Sequence, residues 1–67
     1  MIDVSVNGAP QQLPEAISVA ELLERLQLTG KRLAVERNGE IVPKGRHAEV
    51  CLAPGDRVEI VVAVGGG

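Results

Sequence analysis

The stretch that decides the fold is residues 17–28, ISVAELLERLQL. Its apolar residues recur at spacings of three and four, which is the pattern of a helix with one buried face. That stripe consists of Val19, Leu22, Leu23 and Leu26. The charged residues Glu21, Glu24 and Arg25 fall on the opposite side and predict a solvated face. The sequence therefore predicts one amphipathic helix that packs against an apolar layer.

Both ends of this helix are marked by residues that are typical of helix termini. Ser18 and Glu21 have the spacing of a capping box, in which the serine hydroxyl accepts a hydrogen bond from the N–H three residues later. After the helix, Thr29-Gly30 predicts the stop, because glycine readily takes the left-handed conformation that closes many helices.

Before and after the helix, apolar and polar residues alternate along the sequence, as is typical of β-strands. Residues 2–6 alternate around a following Asn7-Gly8, which favours a type I′ hairpin turn. The return strand, residues 9–13, contains Pro10, which lacks an N–H and so predicts a position at the sheet edge. A second hairpin is predicted around Asn38-Gly39.

The last strand is predicted to follow the turn in APGD and to begin at Arg57. Alternation directs Val58, Ile60, Val62 and Val64 to the helix side and Arg57, Glu59, Val61 and Ala63 to the other. Val61 and Ala63 are apolar on the uncovered side, so they form a candidate docking patch for a partner. The alternative is that β-branched residues simply favour strands.

A hairpin, one helix and further strands predict an α+β fold, a mixed sheet with one main helix packed across one face. The order fits a ubiquitin-like β-grasp fold. We expect one domain, residues 1–64, followed by a flexible glycine tail, residues 65–67.

Composition excludes several functions. The chain has 67 residues, a net charge of -2 and no aromatic residue, which speaks against nucleic acid and against an aromatic-walled cofactor pocket. Cys51 is the single cysteine and His47 the single histidine, so neither a disulfide nor a metal site is expected. We expect a small buried Cys51, a His47 at a surface turn, no membrane segment and a cytoplasmic protein.

The tail Gly65-Gly66-Gly67 offers a specific chemistry. A terminal carboxylate is an anion at neutral pH and resists nucleophiles until it is joined to AMP. Glycines lack Cβ and let the chain enter a narrow enzyme channel. The sequence therefore predicts that the tail carries the reacting C-terminus into an enzyme active site. The alternative is a frayed end or an expression remnant.

Three segments, ISVAELLERLQL, VERNGEIVPKGR and the terminal AVGGG, together with LAPGDRVEIV, resemble the ThiS-type sulfur carriers of thiamine biosynthesis. The resemblance implies a protein cosubstrate that binds no cofactor and is not an enzyme. Gly67 would be adenylated with ATP by an E1-like adenylyltransferase and converted to a thiocarboxylate, a C-terminal 1-thioglycine. The sulfur would come from a donor such as a cysteine desulfurase and pass to thiazole synthase. Gly66 would complete the Gly-Gly pair, and Gly65 has no role in that minimal pair.

Three alternatives stay open at this point. The small subunit of molybdopterin synthase shares the fold and tail but usually reaches its Gly-Gly through a proline-containing segment, and this chain has no proline after Pro54. A protein modifier would join Gly67 to lysines. A β-grasp binding module would use neither chemistry, since fold alone does not fix function.

Overall fold

The computed structural model describes residues 1–63 and places the elements in the predicted order. They are β1 Ile2–Val6, β2 Ala9–Leu13, α1 Val19–Arg25, β3 Leu33–Arg37, β4 Glu40–Val42, a 3₁₀ helix Lys44–Arg46 and β5 Arg57–Val62. The predicted boundary between residues 1–64 and 65–67 lies outside the described residues.

The five strands form one mixed sheet in the order β2-β1-β5-β3-β4. β5 occupies the centre, parallel to β1 and antiparallel to β3. β2 lies at an edge, as Pro10 predicts, because an edge strand does not need every N–H for pairing. The predicted α+β class, with one helix against a mixed sheet, is confirmed.

Both predicted hairpin turns are confirmed. Asn7 and Gly8 have φ of 51° and 84°, and Asn38 and Gly39 have φ of 53° and 87°. Two successive residues with positive φ define the type I′ turn, whose twist matches that of the flanking strands.

One apolar core lies between α1 and the sheet. The helix contributes Val19, Leu22 and Leu23, and each strand contributes one or two buried residues. The buried core residues are Val4, Val6, Leu13, Ile17, Val19, Leu22, Leu23, Val35, Val42, Leu52, Val58 and Ile60. The core is therefore built from aliphatic side chains alone.

The helix begins where the sequence predicts and ends earlier. Ser18 Oγ accepts a hydrogen bond of 3.1 Å from the N–H of Glu21, which confirms the N-cap. The predicted stop at Gly30 is wrong, because Gln27 takes the left-handed conformation with φ 60°. The N–H of Leu28 then donates to the carbonyl of Leu23 at 2.8 Å, a closure that turns Leu28 back toward the core.

Candidate functional site

The candidate site is the end of β5 from which the glycines follow. Gly65, Gly66 and Gly67 lie outside the described residues, so their predicted role stays a prediction. Val61 and Ala63 are described, and both are exposed, Val61 to 66%. They face away from the helix, as the alternation predicts. Their role in docking also stays a prediction.

Two residues that sequence reasoning missed extend this surface. Ala34 on β3 is exposed and lies directly opposite Val61. Ile41 on β4 is 62% exposed and lies on the same sheet face. We call Ala34, Ile41, Val61 and Ala63 the outer apolar patch. Exposed apolar side chains gathered on one face are typical of a contact surface.

An acidic pair borders the patch. Glu36 on β3 lies directly opposite Glu59 on β5, on the same outer face. Like charges opposite each other weaken a sheet, so this face is not arranged for the greatest stability of the isolated domain.

The start of β5 is held by a buried aspartate. Asp56 accepts hydrogen bonds from the N–H of Ala53 at 2.8 Å, Arg37 Nε at 2.7 Å and Asn38 Nδ2 at 3.0 Å. Burial by itself raises the pKa of Asp56, but these hydrogen bonds and the charge of Arg37 outweigh it and lower the pKa below its ordinary value. The carboxylate thus ties the turn before β5 to the second hairpin.

The middle of β5 is held by an asparagine at the point where β1 ends. Asn7 Oδ1 accepts a hydrogen bond of 2.7 Å from the N–H of Ile60, and Asn7 Nδ2 donates to the Ile60 carbonyl at 3.1 Å. The amide side chain of Asn7 therefore makes the two hydrogen bonds to Ile60 that the backbone of a neighbouring strand would otherwise make. Beyond it, the N–H of Ala63 donates a hydrogen bond of 2.8 Å to the carbonyl of Arg32, the residue before β3.

The two other singled-out residues take no part in this site. The prediction that Cys51 is buried is wrong, because Cys51 is exposed. The N–H of Leu52 donates to the carbonyl of Ile17 at 2.8 Å, and Leu52 fills the inward position next to Cys51. His47 lies in a turn, as predicted, and its Nε2 is 3.1 Å from the carbonyl oxygen of Val42.

Two further features are absent from residues 1–63. No three metal-ligating side chains come together within residues 1–63. Within the same range, no helix has the length and apolar character needed to cross a bilayer.

Comparison with known structures supports the fold assignment. The crystal structure of the thiamine biosynthesis protein ThiS from Geobacter metallireducens superposes with a TM-score of 0.84 at 32% identity. The match covers 98% of this chain and 100% of that one. The mixed sheet with one α-helix across it is thus the ubiquitin-like β-grasp fold predicted from the sequence.

Comparison with known sequences leads to the same family. Sulfur carrier protein ThiS from Bacillus subtilis is 48% identical over 50 residues, covering 75% of this chain and 76% of that protein. A thiazole synthase from Paramagnetospirillum magneticum is 42% identical over 62 residues, 92% of this chain but only 19% of the relative, so the chain spans about a fifth of that protein's length. The sequence profile of the ThiS family matches residues 4–67, and the chain therefore belongs to the ThiS family.

Proposed function

We propose that this chain is a sulfur carrier that serves the synthesis of the thiazole moiety of thiamine. The observation that carries the proposal is the ThiS family match, which extends through the three glycines to Gly67. The fold supports it, because only two residues separate the end of the central strand β5 from these glycines in the sequence.

The proposed chemistry takes place on the carboxylate of Gly67. One carboxylate oxygen attacks the α-phosphorus of ATP on an E1-like adenylyltransferase, which forms an acyl-adenylate and releases pyrophosphate. A sulfur nucleophile from a donor such as a cysteine desulfurase then attacks the acyl carbon, and AMP leaves. The donor supplies this sulfur as the outer atom of a persulfide, so the first product is an acyl disulfide. A second thiol attacks the donor's sulfur, forms a disulfide with it and releases the thiocarboxylate, whose sulfur passes to thiazole synthase. The chain supplies the reacting group but no catalytic side chain, so it acts as a cosubstrate.

The domain's part is to present the tail and to be recognised. Three glycines extend about 10 Å, so an enzyme that holds Gly67 must contact the domain near Ala63. The outer apolar patch includes Ala63 and its neighbour Val61. Contact with a partner can bury these apolar side chains without breaking hydrogen bonds to water. We assign the patch to the contact with the activating enzyme and with thiazole synthase.

Thiazole synthase is the partner with independent support. The Paramagnetospirillum thiazole synthase contains a segment similar to nearly the whole of this chain, so in that protein a carrier-like segment and a thiazole synthase share one polypeptide. ATP is used by the activating enzyme and is not bound by this chain. We place the reaction in the cytoplasm, without nucleic acid or membrane.

The test is an intact mass measurement. The protein is incubated with the adenylyltransferase, ATP and a sulfur donor, and the expected product has one carboxylate oxygen replaced by sulfur. An unmodified acid under these conditions contradicts the proposal, and lysine conjugates recovered from cells would favour a modifier instead. Loss of thiamine synthesis in a deletion strain, with molybdopterin synthesis intact, separates the two kinds of sulfur carrier.

A further inference from the structure

A groove of about 290 Å³ opens on the helix side of the molecule. It exists because α1 ends at Arg25 and the chain turns back at Gln27, which leaves the region near the start of β3 without a helical cover. Leu23, Leu28 and Leu33 line it. Leu28 and Leu33 remain only half-buried, so the groove has an apolar floor that the domain does not cover itself.

Positive charges surround this floor. Lys31, Arg32 and Lys44 line the groove, and none of them forms an ion pair within residues 1–63. Glu24 is the one carboxylate among the described lining residues. The whole chain has a net charge of -2, so the charge around the groove is opposite in sign to the net charge of the chain. We call it the cationic groove.

The cationic groove lies beside the start of the tail. The carbonyl of Arg32 accepts the hydrogen bond from the N–H of Ala63, and Leu33 lies opposite Val62 in the β3–β5 pairing. An enzyme that draws Gly67 into its active site therefore comes within reach of the groove. The outer apolar patch lies on the other face of the sheet, so the two surfaces form separate contacts.

We propose that the cationic groove binds an acidic segment of thiazole synthase. An apolar side chain of that segment lies on the leucine floor, and its carboxylates approach Lys31, Arg32 and Lys44. Complementary charge at such a contact selects the partner and fixes its orientation. The inference rests on the proposed function, and it names thiazole synthase because a carrier-like segment occurs within a thiazole synthase chain.

The test is a titration of purified thiazole synthase with the unmodified protein and its charge variants. Lys31→Glu and Lys44→Glu each weaken binding about fivefold, and the double variant about twentyfold. The differences shrink in high salt, because ions screen exposed charges. The matched control is Arg46→Glu, which makes the same charge change in the 3₁₀ helix of Lys44 but outside the groove, where Arg46 pairs with Glu49 at 3.3 Å. It binds within about twofold of the wild type.

A second variant closes the groove without removing a charge. Thr29 is exposed and lines the groove, so Thr29→Trp fills the space and weakens binding while the melting temperature stays unchanged. If the lysine variants and Thr29→Trp bind as Arg46→Glu does, the groove assignment is wrong and the proposed function stands. If the wild type does not bind thiazole synthase at all, both the proposed partner and the groove assignment are wrong. Self-association that Lys44→Glu abolishes would assign the groove to a second copy and overturn the proposal.

Discussion

The two ends of β5 are built in opposite ways. At its start, Asp56 is 7% exposed and accepts three hydrogen bonds that join two separate turns. At its finish, Val61 is 66% exposed and Ala63 has one hydrogen bond to the loop before β3. The chain thus passes from a buried polar anchor just before β5 to an exposed apolar surface at the end of this six-residue strand.

This difference separates stability from recognition along a single strand. Buried polar groups that are fully hydrogen-bonded are costly to disturb, whereas exposed side chains usually tolerate substitution. Changes at the start of β5 should therefore lower the free energy of unfolding without altering recognition. Changes at its finish should alter recognition without unfolding the protein.

The largest expected effect comes from the tail itself. Deletion of Gly66 and Gly67 removes the proposed reacting carboxylate and leaves every described contact in place. We expect complete loss of ATP-pyrophosphate exchange with the adenylyltransferase and an unchanged far-UV circular dichroism spectrum. Exchange at the wild-type rate by the folded truncation would show that Gly67 is not the activated residue.

Next in size is Asp56→Ala. The change leaves Arg37, Asn38 and the N–H of Ala53 without their acceptor, and it should lower the free energy of unfolding by about 3 kcal/mol. Urea unfolding measures this loss. Adenylation, assayed below the melting temperature, should persist. The control is the exposed Glu59→Ala, which should change stability by no more than about 0.5 kcal/mol.

Acid should weaken the same anchor. The pKa of Asp56 is lower in the folded protein, so its contribution is complete above the unfolded value of about 3.9 and disappears as the pH falls through the folded pKa. Melting temperatures of the wild type and Asp56→Asn are compared between neutral and acidic pH. The wild type should lose more stability on acidification than the variant, and parallel curves would contradict this role of the carboxylate.

A smaller effect is expected from Val61→Asp at the other end. A charge in the outer apolar patch should weaken binding of the adenylyltransferase and of thiazole synthase by more than about 1 kcal/mol. The melting temperature should change little, because the side chain is exposed. Ala16→Asp, at an exposed position before α1, makes the same charge change as a control. Unchanged affinity for both enzymes would remove this face from the interface.

The smallest effect is expected from Cys51→Ser. Cys51 is exposed and its segment pairs with Ser18, whereas the proposed sulfur is held by the carbonyl carbon of Gly67. Intact mass should show the same thiocarboxylate as in the wild type. A folded variant that never gains sulfur would give this thiol a role in the transfer.

Local signals predicted most of the fold because its turns and its helix start are local. Asn-Gly pairs fix both hairpins, and Ser18 fixes the beginning of α1. The end of α1 does not follow from local signals, because Leu28 gains contact with the core when Gln27, rather than a glycine, takes a positive φ. A tertiary contact thus overrode a local preference.

Sequence alternation could predict only the part of the candidate site that lies along β5 and directly after it. Alternation places Val61 and Ala63 correctly, and the register of the second hairpin could have added Ile41. Ala34 could not be found, because its pairing with Val61 joins residues far apart in the chain. The same holds for the Asp56 hydrogen bonds and for the cationic groove, which each depend on several distant segments.

The central position of β5 has a mechanical consequence. An enzyme that draws the tail into a narrow channel pulls on the end of a strand that pairs with β1 on one side and β3 on the other. The hydrogen bonds lie across the direction of pull, so several of them must break together rather than one after another. Forced unfolding is a matter of rate, and such a shear geometry slows it. For the proposed carrier, this geometry favours withdrawal of the tail from an enzyme with the fold intact.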